Sequence, residues 1–255
     1  MGDNSAIEWT DATWNPVTGC TKVSPGCKFC YAERLTERWG RGPFNEIRLH
    51  RDRLELPLRW RTPRRIFVNS MSDLFHDTVP TDFINQVFAV MLRARHHVFQ
   101  VLTKRADRLV AWHVEHDRSF LPPHIWIGVS VESAAYLWRV ERLRQVEAAI
   151  RFISAEPLLG PLNGIDLRGI SWVITGGESG GPPERALVKR TATGWTPKPE
   201  AIEWIRTLRD LCLDRSVAFF HKQWGGPTPR AGGRLLDRRM WNQMPRPGEA
   251  TQAVL

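Results

Sequence analysis

The amino-acid sequence predicts an α/β fold, and within that class a partial TIM-type (β/α)6–7 barrel with parallel strands. Short apolar runs rich in Val, Ile and Phe alternate with segments of helical periodicity, as in folds built from repeated strand–helix units. These runs stop in small or charged polar residues, the pattern expected where the carboxyl ends of barrel strands share one face. With 255 residues, of which 42% are hydrophobic, the chain can bury one such core.

Seven strands are expected. The first leads into Cys20, and the others are Arg65–Asn69, Val98–Thr103, Ile125–Val131, Arg151–Ala155, Trp172–Thr175 and Val217–His221. Their lengths suit strands that are buried on both faces of a parallel sheet. This number of strand–helix units fits a partial barrel better than a short doubly wound sheet.

Helical periodicity occurs between these strands. The predicted helices are Cys27–Trp39, ended by Gly40; Thr81–Arg95, capped by Thr81; Ser133–Ala149, capped by Ser133; and Ile202–Arg215. The last of these places Cys212 on an apolar face with Ile205 and Leu208, where a thiol serves as a small core residue.

Residues 1–226 are predicted to form the barrel. Within them, Ser179–Pro199 is rich in Gly, Pro and basic residues, which predicts a mobile loop and a candidate lid. Residues 227–255 form a basic, Gly- and Pro-rich C-terminal extension whose structure the sequence does not assign.

The charge balance favours an anionic partner. Lys and Arg number 36 against 27 Asp and Glu, a net charge of +9, and this favours DNA or RNA over a membrane surface. Trp side chains are interleaved with the Arg-rich stretches Arg48–Arg65 and Lys222–Arg246, as suits phosphate contact and base stacking. A solvated basic surface is the alternative. Because no apolar run could span a bilayer and no signal peptide opens the chain, we expect a cytoplasmic protein without a membrane partner.

Three of the four cysteines, Cys20, Cys27 and Cys30, fall within a short loop that we call the cysteine loop (residues 19–31). A secreted disulfide scaffold would be shorter and richer in cysteine, so the cluster indicates metal or redox chemistry. A structural zinc site needs four ligands, and no His lies between Val17 and Leu49. Three thiolates can instead hold a four-iron cluster with one iron open to a small molecule.

The run from Gly19 to Ala32 resembles the cluster loop of radical S-adenosylmethionine (SAM) enzymes. In that superfamily three cysteines follow the first strand of a partial TIM barrel, and the residue before the third is usually aromatic, here Phe29. The resemblance implies that Cys20, Cys27 and Cys30 bind three irons of a [4Fe–4S] cluster. It also implies that SAM occupies the fourth iron through its amino and carboxylate groups, with Phe29 near the adenine.

The sequence departs from the superfamily pattern at two points. Six residues separate Cys20 from Cys27 instead of three, and the turn sequence Ser24-Pro25-Gly26 could accommodate the added length. In place of the Gly-Gly-Glu run that holds the SAM amino group in many relatives, this chain has Asn69–Asp73.

More closely, the chain resembles a phage-associated and bacterial group of three-cysteine proteins without a settled substrate, distantly similar to spore photoproduct lyases. The matching segments are Ile7–Pro16, the cysteine loop, Ile66–Phe75, Gln100–Arg105, Ile153–Pro161, Trp172–Gly180 and Phe219–Gly225. The resemblance implies reductive cleavage of SAM and removal of hydrogen from a substrate, which the charge suggests is a nucleic-acid base or nucleotide. An electron donor such as flavodoxin or ferredoxin is implied as well.

Polar residues at the predicted strand ends are the candidate binding residues. We expect Ser70, Ser72, Asp73 and Ser130 to contact SAM, and Glu132, Glu156, Glu178 and Lys222 to contact the SAM ribose or the substrate. Ordinary hydrogen bonds and ion pairs at the barrel mouth are the alternative for each. The sequence assigns no catalytic residue and no oligomeric state.

Two other functions remain open at this point. One is a non-catalytic nucleic-acid-binding protein in which the cysteines hold zinc together with His50 or a partner's ligand. The other is a cluster protein that does not bind SAM and serves electron transfer or sensing.

Overall fold

The computed structural model describes residues 5–245. Within them the strands are β1 (Ala12–Trp14), β2 (Val17–Thr18), β3 (Arg48–Leu49), β4 (Arg65–Val68), β5 (Val98–Thr103), β6 (Leu121–Ser130), β7 (Ala148–Ala155), β8 (Trp172–Gly176), β9 (Val188–Thr191), β10 (Gly194–Pro197) and β11 (Ala218–Gln223). The α-helices are α1 (Tyr31–Arg38), α2 (Leu56–Arg59), α3 (Thr81–Arg93), α4 (Ala106–Glu115), α5 (Trp138–Arg144) and α6 (Pro199–Asp214). Single 3-10 turns cover Pro25–Cys27, Arg51–Arg53 and Ala134–Tyr136.

Seven strands form one curled parallel sheet in the order β1-β4-β5-β6-β7-β8-β11 within the described residues. Every neighbouring pair is parallel, from Ala12 opposite Ile66 at one edge to Ala218 opposite Trp172 at the other. The sheet is a half-barrel with its helices outside, which confirms the predicted α/β partial barrel. All seven carboxyl ends therefore lie at one rim, which we call the mouth.

The two faces of the sheet bury different side chains. On β4, Ile66 and Val68 join the large core under the helices, whereas Phe67 joins a smaller, mostly aromatic core. Because side chains alternate along a strand, this smaller core fills the concave face. Trp9 packs against Phe67 there, with ring centroids 4.7 Å apart.

The concave face becomes polar toward the mouth. Trp126, Phe152 and Phe220 belong to the aromatic core on this face. The residues two positions further along the same strands are Gly128, Ser154 and Lys222. The aromatic core thus forms a floor below a polar opening. A polar ligand at the mouth would lie above buried aromatic side chains that exclude water.

The predicted helices Thr81–Arg95 and Ser133–Ala149 have different boundaries in the structure. The predicted cap at Thr81 is wrong, because α3 begins at Thr81 itself and the Pro80 carbonyl accepts the first amide bonds. The helix predicted over Ser133–Ala149 is shorter, since a 3-10 turn precedes α5 and β7 already begins at Ala148. Ser133 precedes that turn without a side-chain cap bond.

The first helix is also shorter than predicted over Cys27–Trp39. Cys27 ends a 3-10 turn, and Cys30 has extended backbone angles, so α1 starts only at Tyr31. The predicted end at Gly40 holds within one residue, because Gly40 has a φ of +60° directly after Trp39. Helix α4, between β5 and β6, was not predicted.

The segment predicted as a loop over Ser179–Pro199 contains an antiparallel hairpin of β9 and β10. Leu187 and Val188 at its start are buried in the large core. The hairpin is therefore anchored at its base. Its closing as a lid stays a prediction.

The first part of the C-terminal extension covers the sheet edge. The His221 amide donates to the Trp241 carbonyl at 2.9 Å, and the Gln243 amide donates to the Phe219 carbonyl at 3.1 Å. This satisfies backbone groups that an edge strand would otherwise expose. Residues 246–255 of the predicted extension lie outside the described residues. Among residues 5–245, no helix has both the length and the apolar character needed to cross a membrane.

Gly128 is expected to be irreplaceable in the concave core. A Cβ at this position would lie 2.5 Å from atoms of the fully buried Phe152 ring. We expect Gly128→Ala to lower the free energy of unfolding in urea by about 1–3 kcal/mol. Gly160→Ala is the control, since a Cβ there meets no atom within 4 Å. Equal stability of the two variants would contradict this packing.

Candidate functional site

The cysteine loop lies across the mouth of the half-barrel. The Gly19 amide donates to the Met71 carbonyl at 3.1 Å, and the Tyr31 hydroxyl donates to the Ser70 carbonyl, both just beyond β4. Beyond β6, Glu132 Oε1 accepts from the Gly26 amide at 3.4 Å. The structure thus brings the three cysteines to the rim where the strands present their polar residues.

The three thiols of the loop are half-buried and unpaired. Cys20, Cys27 and Cys30 form no disulfide. Burial, with a smaller contribution from Asp73, raises the pKa of the Cys20 thiol to about 12, and Arg105 opposes this rise. A bound metal would instead lower the pKa of the Cys20 thiol, because a coordinating thiol is deprotonated.

The two other candidate metal ligands, His50 and Cys212, have different surroundings. His50 Nε2 is 2.8 Å from the Thr18 hydroxyl, and Cys212 is fully buried in α6. Within residues 5–245, no three or more His, Cys, Asp or Glu side chains are arranged as a metal site. That finding includes the three cysteines, so the loop supplies three sulfur donors along the sequence, and the structure does not arrange them around a single ion.

Polar side chains after β4 are bonded to neighbouring segments. Ser70 Oγ lies 3.2 Å from Asn15 Oδ1 and also 3.2 Å from Asn15 Nδ2, and Ser72 Oγ donates to the Val17 carbonyl at 3.0 Å. Asp73 accepts from the Thr103 hydroxyl at 2.7 Å and from the Phe75 and Lys104 amides at 3.0 Å each. These three predicted SAM contacts lie at the mouth, where they fix the strand ends to one another.

Ser130 and Glu132 lie beside a buried arginine that the sequence analysis missed. Arg139 from α5 donates to Glu132 Oε2 and to the Ser130 carbonyl, each at 2.9 Å, and both charged side chains are at most 1% exposed. Removing either partner would leave an unbalanced charge in the core. The pair fixes the carboxylate that receives the Gly26 amide of the cysteine loop.

Glu156 and Lys222 form an ion pair on the concave side of the mouth. Lys222 Nζ is 3.1 Å from Glu156 Oε1, and Ser154 Oγ donates to Glu156 Oε2 at 3.4 Å. The two charged side chains are 20% and 15% exposed. Gly176 makes room for them, because a Cβ there would lie 2.5 Å from Glu156 Oε1. This pair can reach a ligand in the opening.

Glu178 is tied to the cysteine loop through Arg185, which the sequence analysis also missed. Arg185 makes two hydrogen bonds of 2.7 Å to the Glu178 carboxylate, one from Nε and one from Nη2. Nη2 also donates to the Pro25 carbonyl at 3.0 Å, and the guanidinium carbon lies 5.2 Å from the Phe29 ring centroid. Lys28 Nζ lies 5.6 Å from the same centroid, so two cations contact the Phe29 ring.

Comparison with known proteins places this fold in context. The family described as "Protein of unknown function (DUF5131)" matches residues 4–245. No curated protein matches the sequence.

Solved structures of spore photoproduct lyase share the fold. A cysteine-to-serine mutant is 13% identical, with a TM-score of 0.54 over 82% of this chain and 75% of that chain. A double mutant with bound AdoMet and dinucleoside spore photoproduct is 12% identical, with a TM-score of 0.50 over 83% and 76%. At such identity the likeness establishes the fold alone.

The Glu178–Arg185 pair is expected to hold the cysteine loop. We expect Arg185→Met to lower the free energy of unfolding by about 3 kcal/mol, because Glu178 is then buried without its partner. Amide hydrogen exchange of residues 20–31 should also accelerate. Arg142→Met is the control, since it breaks an exposed pair with Asp107 worth at most about 1 kcal/mol. Unchanged loop exchange in Arg185→Met would contradict this role.

Proposed function

This chain belongs to the DUF5131 family, and we propose that it is a radical SAM enzyme that uses a [4Fe–4S] cluster to cleave SAM and remove hydrogen from a substrate. One observation carries the proposal. Three unpaired thiols lie on one loop that crosses the polar mouth of a parallel half-barrel. The fold of spore photoproduct lyase, a radical SAM enzyme, supports it.

The donor set fits such a cluster. Thiolates are its usual protein ligands, and a site with three of them leaves one iron for a small molecule. A closed zinc site would need a fourth protein ligand, and the His50 ring is bonded to Thr18 on the β2–β3 side. We therefore assign the cluster to Cys20, Cys27 and Cys30.

The chain's own residues would bind SAM and keep out water. When bound, the cluster supplies one electron to the sulfonium of SAM. Lys222 and Glu156 offer opposite charges at the concave rim, suited to the carboxylate and hydroxyl groups of a nucleoside amino acid. Ser130 lies on the same face. The aromatic floor of Trp126, Phe152 and Phe220 excludes water from below.

The other predicted contacts take positioning parts in this proposal. Ser70, Ser72 and Asp73 tie the end of β4 to the neighbouring segments through their bonds to Asn15, Val17 and Thr103. Glu132 and Glu178 hold the cysteine loop, and Phe29 lies at the opening beneath Arg185. Phe29 is the side chain assigned to the adenine.

A nucleic-acid base or nucleotide is the proposed substrate class. The net charge of +9 favours a polyanion, and one neighbour of the same fold carries a dinucleoside photoproduct. Exposed Lys28 on the cysteine loop would contact phosphate beside the opening. Flavodoxin or ferredoxin is the proposed class of electron donor.

Anaerobic iron loading tests the cluster and its chemistry together. We expect the wild-type chain to bind about four irons per cluster and to release 5′-deoxyadenosine from SAM with dithionite. Ala at Cys20, Cys27 or Cys30 should abolish both, because each removes a ligand. Cys212→Ala is the matched control and should retain both.

Two results would contradict the proposal. A colourless chain that takes up zinc instead of iron would support a zinc-bearing nucleic-acid-binding protein. An intact cluster without 5′-deoxyadenosine would support electron transfer or sensing.

Salt dependence tests the substrate class. We expect affinity for single-stranded or duplex DNA or RNA to fall steeply with salt, because each neutralised phosphate releases counterions. Lys28→Glu should weaken binding and reduce the slope of log affinity against log salt by about 1. Arg118→Glu is the control, since the exposed Arg118 precedes β6 at the opposite end of the barrel. Binding that ignores salt would count against a nucleic-acid substrate.

A further inference from the structure

Arg105, the residue before α4, points into the cysteine loop. Its Nη1 atom lies 3.8 Å from the Cys20 sulfur, and its Nη2 atom donates to the Thr21 hydroxyl at 2.9 Å. The side chain is only 6% exposed. A guanidinium is thus held out of water beside the first cysteine.

The neighbouring carboxylates balance this charge only in part. Asp73 Oδ2 is 3.7 Å from Nη1, but Asp73 already accepts from Thr103 and Lys104. Asp77 is 3.7 Å from Nε and is 77% exposed, so solvent screens it. Nε has no hydrogen-bond partner among the described residues. A buried cation is costly unless it is paired, and the Cys20 sulfur beside it becomes anionic when it binds a metal.

The Thr21 hydroxyl completes the arrangement. It lies 2.8 Å from His76 Nε2 as well as 2.9 Å from Arg105 Nη2. Because a guanidinium only donates, the hydroxyl accepts from Arg105 and is free to donate to the imidazole. His76 is buried beyond β4, so the residue after Cys20 is fixed from two sides.

We propose that Arg105 is a positioning residue that holds Cys20 in place and raises the reduction potential of the cluster bound there. The inference rests on the proposed function and adds a role for a residue outside the ligand set. Reduction adds one electron to the cluster, taken from a flavodoxin- or ferredoxin-type donor, and requires no proton. The added negative charge is attracted to the guanidinium, so Arg105 stabilises the reduced form more than the oxidised form. An N–H group directed at a ligand sulfur acts in the same direction.

A redox titration followed by electron paramagnetic resonance of the reduced cluster tests the inference. In Arg105→Gln we expect the equilibrium constant for reduction to fall by about tenfold, which for one electron is about 59 mV. Arg105→Lys keeps the charge but cannot direct two nitrogens at Cys20 and Thr21 together. Its potential should lie between those of the wild type and Arg105→Gln.

Arg108→Gln is the matched control. It removes the same charge three residues further along the chain, in α4, but Arg108 donates to the Val79 carbonyl and not to the cysteine loop. We expect the wild-type potential in this variant. A shift as large as that of Arg105→Gln would overturn a specific effect at Cys20.

Three further outcomes separate this inference from the proposed function. A wild-type potential in Arg105→Gln, with full iron content, would overturn the inference and leave the proposed function standing. If Arg105→Gln holds no iron, the Arg105→Lys variant provides the test. A cluster potential below that of the wild type in Arg105→Lys supports the inference, and an unchanged potential overturns it. A wild-type chain that binds no cluster would refute the proposed function, and this inference with it.

Discussion

The cysteine loop is held at the mouth by hydrogen bonds, several of which involve charged side chains, and not by apolar burial. None of residues 20–31 is fully buried, so the loop contributes little hydrophobic free energy to its own placement. Instead Arg105 reaches Cys20 and Thr21, Glu132 accepts from Gly26, and Arg185 donates to Pro25. Because these partners are buried or partly buried, each contact is screened less than a surface ion pair.

This arrangement links the loop to several strands at once. Arg105 follows β5, Glu132 follows β6, and Arg185 follows β8 on the approach to the hairpin. A shift at the end of β5 or β6 would disturb a bond to the loop. The placement of the loop that carries the three thiols therefore depends on several strands, and the aromatic core on the concave face packs between those strands.

The sequence was sufficient to predict the sheet and the position of the loop, but not the contacts between them. Buried strands such as β8 are continuous apolar runs that periodicity detects, and Cys20, Cys27 and Cys30 are close in sequence. The arginines that hold the loop are distant from it: Arg185 bonds to Pro25 across 160 residues. Nothing in local composition distinguishes Arg105, Arg139 and Arg185 from the many other arginines. The hairpin of β9 and β10 was not predicted, because the segment around it is rich in Gly and Pro and these residues are typical of loops.

The long spacing between Cys20 and Cys27 has a structural reason. Thr21 turns toward α4, where it meets Arg105 and His76, and the chain then crosses to Pro25 and Gly26, which meet Arg185 and Glu132. Gly26 suits that crossing, because a Cβ would approach the Glu132 carboxyl group to 3.1 Å. The added residues thus give the loop separate contacts at its two ends: Arg105 lies beside Cys20 and Thr21, and the Glu178–Arg185 pair lies beside Pro25 and Phe29.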